Sequence, residues 1–146
     1  MGARGGCDLN GGELGCQTSM RTFPWGDDAV TCDKAVILDG SGAGCGKTST
    51  WPVGQKPAGA SPYGAHDMAG NALEWVRDGY SATYYSAFAP QSWPANPWQG
   101  DDIAERSLRG GSWSTPGGTA RASARMYFAP ESVYAYAGFR CIQVIP

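Results

Sequence analysis

The sequence predicts an α+β domain made mostly of loops and held by aromatic clusters rather than by long helices. Three observations carry that expectation. The 146 residues include 22 Gly and 10 Pro, so turns must be frequent. Only 16% of residues are charged, while 6 Trp offer large apolar surfaces to a core. The strand-like runs are short and separated by turn residues. Residues 1–146 make one domain, long enough to bury roughly two-thirds of the surface of its unfolded chain.

Taken in order, residues 1–22 read as loop, because Gly2, Gly5, Gly6, Gly11, Gly12 and Gly15 break any period. Ala35–Leu38 is a short apolar run and predicts a strand. Across 39–66, Pro52, Pro57 and Pro62 leave no room for a helix. Asp67–Val76 is expected to form a short helical or irregular turn that aims Trp75 inward. Residues 79–100 mix aromatics and prolines without a period, which reads as an irregular excursion. Ser107–Ser112 predicts a strand, 119–128 alternates around Arg121, Ser123 and Arg125, and 137–145 predicts the last strand.

Net charge is −2 with a pI near 5.2, and the 11 Lys and Arg form no run. A phosphate backbone would meet no basic field, so nucleic acid is not an expected partner. No apolar stretch approaches the ~20 residues that span a bilayer. Five cysteines stand at 7, 16, 32, 45 and 141, none in a C-x-x-C pair that would suggest zinc or a redox motif. Pairing Cys7 with Cys16 and Cys32 with Cys45 would staple two Gly-rich loops and suit an oxidising compartment; reduced thiols in a cytosolic protein are the alternative. Cys141 lies in an apolar run and is expected to be a buried thiol.

Ala35–Leu38 followed by Gly40-Ser41-Gly42-Ala43-Gly44-Cys45-Gly46-Lys47-Thr48 looks like a phosphate loop and fails as one. The first glycine of that motif would fall at Ser41, and Gly40 is one residue out. Pro52 follows too closely for the helix whose N-terminus would hold phosphates.

Four strings together carry a resemblance: Phe23-Pro24-Trp25-Gly26-Asp27, Asp67-Met68-Ala69-Gly70-Asn71-Ala72-Leu73-Glu74-Trp75, Arg109-Gly110-Gly111-Ser112-Trp113 and Gly138-Phe139-Arg140. In order and spacing they resemble the formylglycine-generating-enzyme, or sulfatase-modifying-factor, family, from about Ala3 to Cys141. The resemblance implies a C-type-lectin-like fold. It also implies a longer segment ahead of Ala3-Arg4-Gly5-Gly6, so the chain reads as N-terminally truncated, with an open sheet edge for self-assembly or a neighbour. By position, the family's calcium site would take the carbonyls of Ala69, Gly70 and Ala72 and the carboxylate of Glu74. The alternative is a hydrogen-bonded turn that seats Trp75. A second calcium site would use Asp33 and carbonyls near Lys34 and Lys47, but its acidic position falls near Cys45.

Family oxidases hold Cu(I) on two cysteines five residues apart. Here those positions carry Thr115 and Ala120, so copper is not expected. The iron-dependent branch needs several histidines, and His66 stands alone. Between Trp113 and Gly138, aromatics alternate with small polar residues as in a paratope. Trp113, Tyr127, Phe128, Tyr134 and Tyr136 are therefore the candidate contact face for a protein or small ligand, or else packing for the rest of the fold. Arg109, Arg125 and Arg140 are expected to tie loop carbonyls and carboxylates such as Asp78. The reading that emerges is a non-catalytic binding module, calcium-stabilised, located outside the cell, at its surface or in the periplasm. A family oxidoreductase acting on a peptide or small thiol through other groups is the first alternative, a subunit of an extracellular assembly the second.

Overall fold

The computed structural model describes residues 21–88, 99–100 and 103–141. Strand β1 (Leu73–Gly79) is central in a four-stranded sheet. Strand β2 (Arg106–Arg109) lies antiparallel to it, and β3 (Met126–Phe128) antiparallel to β2. Strand β4 (Ala137–Gly138) runs parallel along the other side of β1, giving the order β3-β2-β1-β4. Trp75 faces Leu108 across β1 and β2, and the register then slips before Gly79 meets Arg106. Gly79 sits where a Cβ would come within 2.9 Å of Gly100 O and 3.0 Å of Ile103 Cβ, so glycine is required at that crowded strand end.

The strand at Leu73–Gly79 corrects the expected turn over Asp67–Val76. Only 67–72 is irregular, because Asp67, Gly70 and Asn71 hold positive φ (+53°, +74° and +65°), which no helix admits. The strand expected at Ala35–Leu38 is also absent. Each residue there finds a different partner: Val36 O accepts from Asn71 N, Ile37 O from Cys45 N, and Leu38 N donates to Thr115 O. Scattered partners satisfy the main chain without a ladder. The strand expected at Ser107–Ser112 ends at Arg109, since Gly110 and Gly111 turn to φ +92° and +69°. The alternation over 119–128 yields only Met126–Phe128, and the last strand stops at Gly138. Residues 142–145 and the N-terminal loop through Met20 lie outside the described residues.

Among the described residues the helical content is three 3-10 turns, Pro57–Gly59, Tyr84–Ala87 and Gly117–Ala120. The described residues thus form a small mixed sheet with loops, poorer in helix than the expected α+β class.

The core lies beside the sheet. Phe23, Ala35, Ile37, Ala69 and Ala120 form its buried cluster, with Trp25, Val30, Cys32 and Cys45 packed against it. Leu73, Leu108 and Val36 are fully buried as well. Burial of one such Leu or Val stabilises by roughly 1.5–3 kcal/mol.

Candidate functional site

The loop leading into β1, with the second residue of that strand, holds the four residues that the resemblance assigned to calcium: Ala69, Gly70, Ala72 and Glu74. Asn71 is buried, and its amide acts as a main-chain clamp: Oδ1 accepts from Trp51 N at 2.9 Å, and Nδ2 donates to Trp51 O at 3.2 Å. Asp67 Oδ2 accepts from Gly54 N at 2.7 Å. These two side chains stitch residues 51–54 to the entrance of β1. Trp51 in turn carries the ammonium groups of Lys47 and Lys56 at 3.7 and 4.0 Å from its ring centre.

Glu74 is paired bidentately with Arg140. Arg140 Nε donates to Glu74 Oε2 at 2.7 Å and Nη2 donates to Oε1. The same guanidinium reaches His66 O at 3.2 Å and Asp67 O at 3.0 Å. Hydrogen bonding to Glu74 raises the Arg140 pKa, partial burial opposes that, and the charges of Glu74 and Asp67 add to it. The guanidinium therefore stays charged at any pH the fold meets. Arg140 is the tie expected of it, but its carboxylate partner is Glu74 rather than Asp78.

This pairing bears on calcium. The ion takes six to eight oxygens, and the expected set offers one carboxylate plus the carbonyls of Ala69, Gly70 and Ala72. Both carboxylate oxygens already face a cation. As placed, the residues do not fit calcium in addition to Arg140; the ion would have to displace the guanidinium.

Positions 115 and 120 are both built into the structure. Thr115 Oγ1 accepts from Ser112 N at 2.8 Å, donates to Ser112 O at 3.2 Å and lies 2.8 Å from Thr119 Oγ1. Ala120 is 1% exposed and belongs to the core cluster.

The five expected contact aromatics do not form one face. Strand β3 alternates, so Tyr127 and Phe128 leave its opposite sides. Phe128 meets Trp75 edge-on at 6.4 Å and Tyr134 at 4.4 Å, and Tyr134 stacks on Tyr136 at 5.1 Å. An open groove of ≈ 580 Å³, solvent mouth included, lies along Trp75, Val76, Arg77, Arg106 and Pro130. Tyr127 instead stacks on Tyr80 at 4.2 Å. Trp113 is held apart: its N donates to Asn71 O, its O accepts from Gly44 N, and its buried Nε1 has no acceptor among the described residues.

Sequence reasoning missed a shallow cleft with room for little more than a water, lined by Asp78, Tyr84, Tyr85, Ser107, Arg109 and Arg125. Arg109 donates to the carbonyls of Ala122 and Ala124, and Arg125 to Ser81 O while its guanidinium lies 5.0 and 4.7 Å from the rings of Tyr80 and Tyr85. The tyrosines at 80, 84 and 85 were the signal, hidden in a stretch that has no period.

A disulfide joins Cys32 to Cys45, as the loop-stapling expectation had it; the Cys7–Cys16 pairing lies outside the described residues. Cys141 is a free thiol and exposed, which corrects the expectation of a buried one: β4 ends at Gly138, so the chain has left the sheet before Cys141.

The family model described as a sulfatase-modifying factor enzyme 1-like domain matches residues 1–145. A serine/threonine-protein kinase pkn1 of Chlamydia caviae is 39% identical over 105 residues, which cover 71% of this chain and 16% of that protein. A hercynine oxygenase of Mycobacterium tuberculosis is 34% identical over 124 residues, 84% of this chain and 27% of that enzyme. Among solved structures, PvdO from Pseudomonas aeruginosa superposes with a TM-score of 0.63 at 27% identity, covering 85% of this chain and 46% of PvdO. The chain thus spans less than a third of the length of these two curated relatives.

Proposed function

Because the chain belongs to the sulfatase-modifying factor enzyme 1-like family, we propose that it serves as a non-catalytic binding module of that family, on a C-type-lectin-like framework. The observation that carries the reading is the state of positions 115 and 120. A thiolate pair there would be needed for copper chemistry of the oxidase type. Here one position is a hydroxyl fully engaged with Ser112 and Thr119, and the other is a core methyl group.

The contact surface in this reading is the row Trp75, Phe128, Tyr134 and Tyr136, beside its open groove. Rigid aromatics give large contact area at low entropic cost, which suits recognition of a protein or small ligand. The Cys32–Cys45 staple favours placement outside the cytosol.

One assay tests the reading against its rival, a family enzyme working through other residues. The purified chain is supplied with copper and a cysteine-containing peptide under oxygen. The expected outcome is no formylglycine by mass spectrometry, with peptide recovered unchanged. Turnover above a blank of copper and peptide without the protein would sink the non-catalytic reading.

A further inference from the structure

The sulfurs of Cys32 and Cys45 and a carboxylate oxygen of Asp39 all lie within 4.8 Å of one another. We propose that, when the Cys32–Cys45 bond is reduced, these three residues bind one Zn²⁺, so that a metal replaces the disulfide as the staple of this loop.

The donor set is chemically suitable. Two thiolates and a carboxylate are zinc ligands, and three protein ligands leave a fourth tetrahedral position for water. Asp39 Oδ2 is 2.9 Å from Cys32 Sγ. A disulfide sulfur has no hydrogen to give, so this contact is a carboxylate placed against sulfur, not a hydrogen bond. The other oxygen, Asp39 Oδ1, accepts from Ser41 N at 2.8 Å. A main-chain donor thus orients the carboxylate, the outer-shell support that metal-binding carboxylates need.

The positions of all three ligands are fixed by bonds other than the disulfide. Cys45 N donates to Ile37 O at 2.9 Å, Asp39 and Gly42 exchange main-chain hydrogen bonds, and Cys32 lies inside a turn closed by Lys34 N and Ala35 N onto Thr31 O. Both cysteines also pack against the core. Reduction therefore removes one covalent bond and leaves the scaffold standing. Zinc–sulfur bonds of about 2.3 Å would then hold the sulfurs further apart than a covalent bond does. Side-chain rotation about Cα–Cβ supplies that separation, across a Cα–Cα distance of 5.8 Å.

The chemistry balances with a dithiol reductant. The dithiol gives two electrons and two protons, closes its own disulfide, and leaves two protein thiols. Zinc then takes both sulfurs as thiolates, and two protons pass to solvent.

The test uses the full chain, oxidised and dithiol-reduced, in competition with a chromophoric zinc chelator, with excess dithiol removed anaerobically. The expected result is one tightly held zinc per reduced chain and none on the oxidised chain at that site. A C7S/C16S/C141S background should keep this zinc, C45S in that background should abolish it, and D39N should weaken it at least tenfold. Circular dichroism of the oxidised D39N chain confirms that it folds. The melting temperature of the reduced wild type, with and without zinc, gives a second readout that needs no variant. No uptake on reduction, an unchanged affinity in D39N, or uptake lost in the C7S/C16S/C141S background would each overturn the proposal.

Discussion

The four-stranded sheet and the loop-built core are made on opposite terms. None of the five residues of the core cluster lies in a strand. The sheet buries Leu73 and Leu108 yet leaves Trp75, Phe128 and Tyr134 half-buried and Tyr127 46% exposed. Regular pairing here makes a platform that contributes Leu73 and Leu108, and irregular backbone makes most of the interior. That inverts the usual expectation that loops run over the surface. It is possible because main-chain groups of the loops pair with one another across the interior: Asn71 N with Val36 O, Trp113 N with Asn71 O, Gly44 N with Trp113 O, Gly70 N with Gly110 O.

The comparison breaks most sharply at Gly59. A Cβ there would lie 1.8 Å from Lys34 O, main chain against main chain, with no flexible side chain to yield. Gly59→Ala should destabilise by about 3 kcal/mol or more, the upper range for overpacking. Gly118→Ala meets nothing within 4 Å and serves as the matched control. Chemical denaturation of both variants checks this. Equal midpoints would mean that the loop region relaxes freely and is no core.

Asn71 comes next. Asn71→Ala removes both hydrogen bonds to the Trp51 main chain and places a Cβ-bearing residue without a local partner at φ +65°. An unsatisfied partly buried group costs about 1–3 kcal/mol and the left-handed conformation about 1–2, so a loss near 3 kcal/mol is expected. Asn71→Gly keeps the backbone at ease and loses only the clamp, so it should fall between wild type and alanine. If glycine matched wild type, the amide would be irrelevant and the backbone alone would matter.

Legibility in the sequence follows the same division. Family strings and turn composition could be read, because glycine at positive φ and Gly-Gly-Ser turns are local facts. Long-range choices could not. Ala35–Leu38 has the composition of a strand, but whether it joins a ladder depends on whether one partner or several come to meet it. Leu73–Gly79 alternates only at its start, and its charged residues Glu74, Arg77 and Asp78 obscured the longest strand among the described residues. The aromatics of 113–136 were found as a set, but their division between two faces is fixed by the three-residue β3, too short to announce its register. The carboxylate of Glu74 was recognised as special; that its partner would be Arg140, 66 residues away, has no local signature.

The finest comparison pits one cation against another at Glu74. Arg140 joins the loop at 66–67 to the strand beyond it through one bidentate pair and two carbonyls. For a partly exposed pair, a double-mutant cycle of Glu74→Gln and Arg140→Met should give a coupling of about 1 kcal/mol. If Arg140 is the cation this carboxylate uses, the wild-type melting temperature will not respond to chelator or to added calcium. A bound ion would instead stabilise the folded state as RT ln(1 + [L]/Kd), about 2.7 kcal/mol at a hundredfold excess over Kd, and Glu74→Gln would erase that gain. Glu105→Gln, a carboxylate just ahead of β2 and outside the 66–74 segment, should leave either outcome unchanged. Arg140→Met is the discriminating variant, because it frees both oxygens of Glu74 beside the carbonyls of the 69–72 turn. A calcium response that appears only in Arg140→Met would identify the guanidinium as the ion's competitor, whereas a response already present in wild type would restore the calcium site read from the sequence.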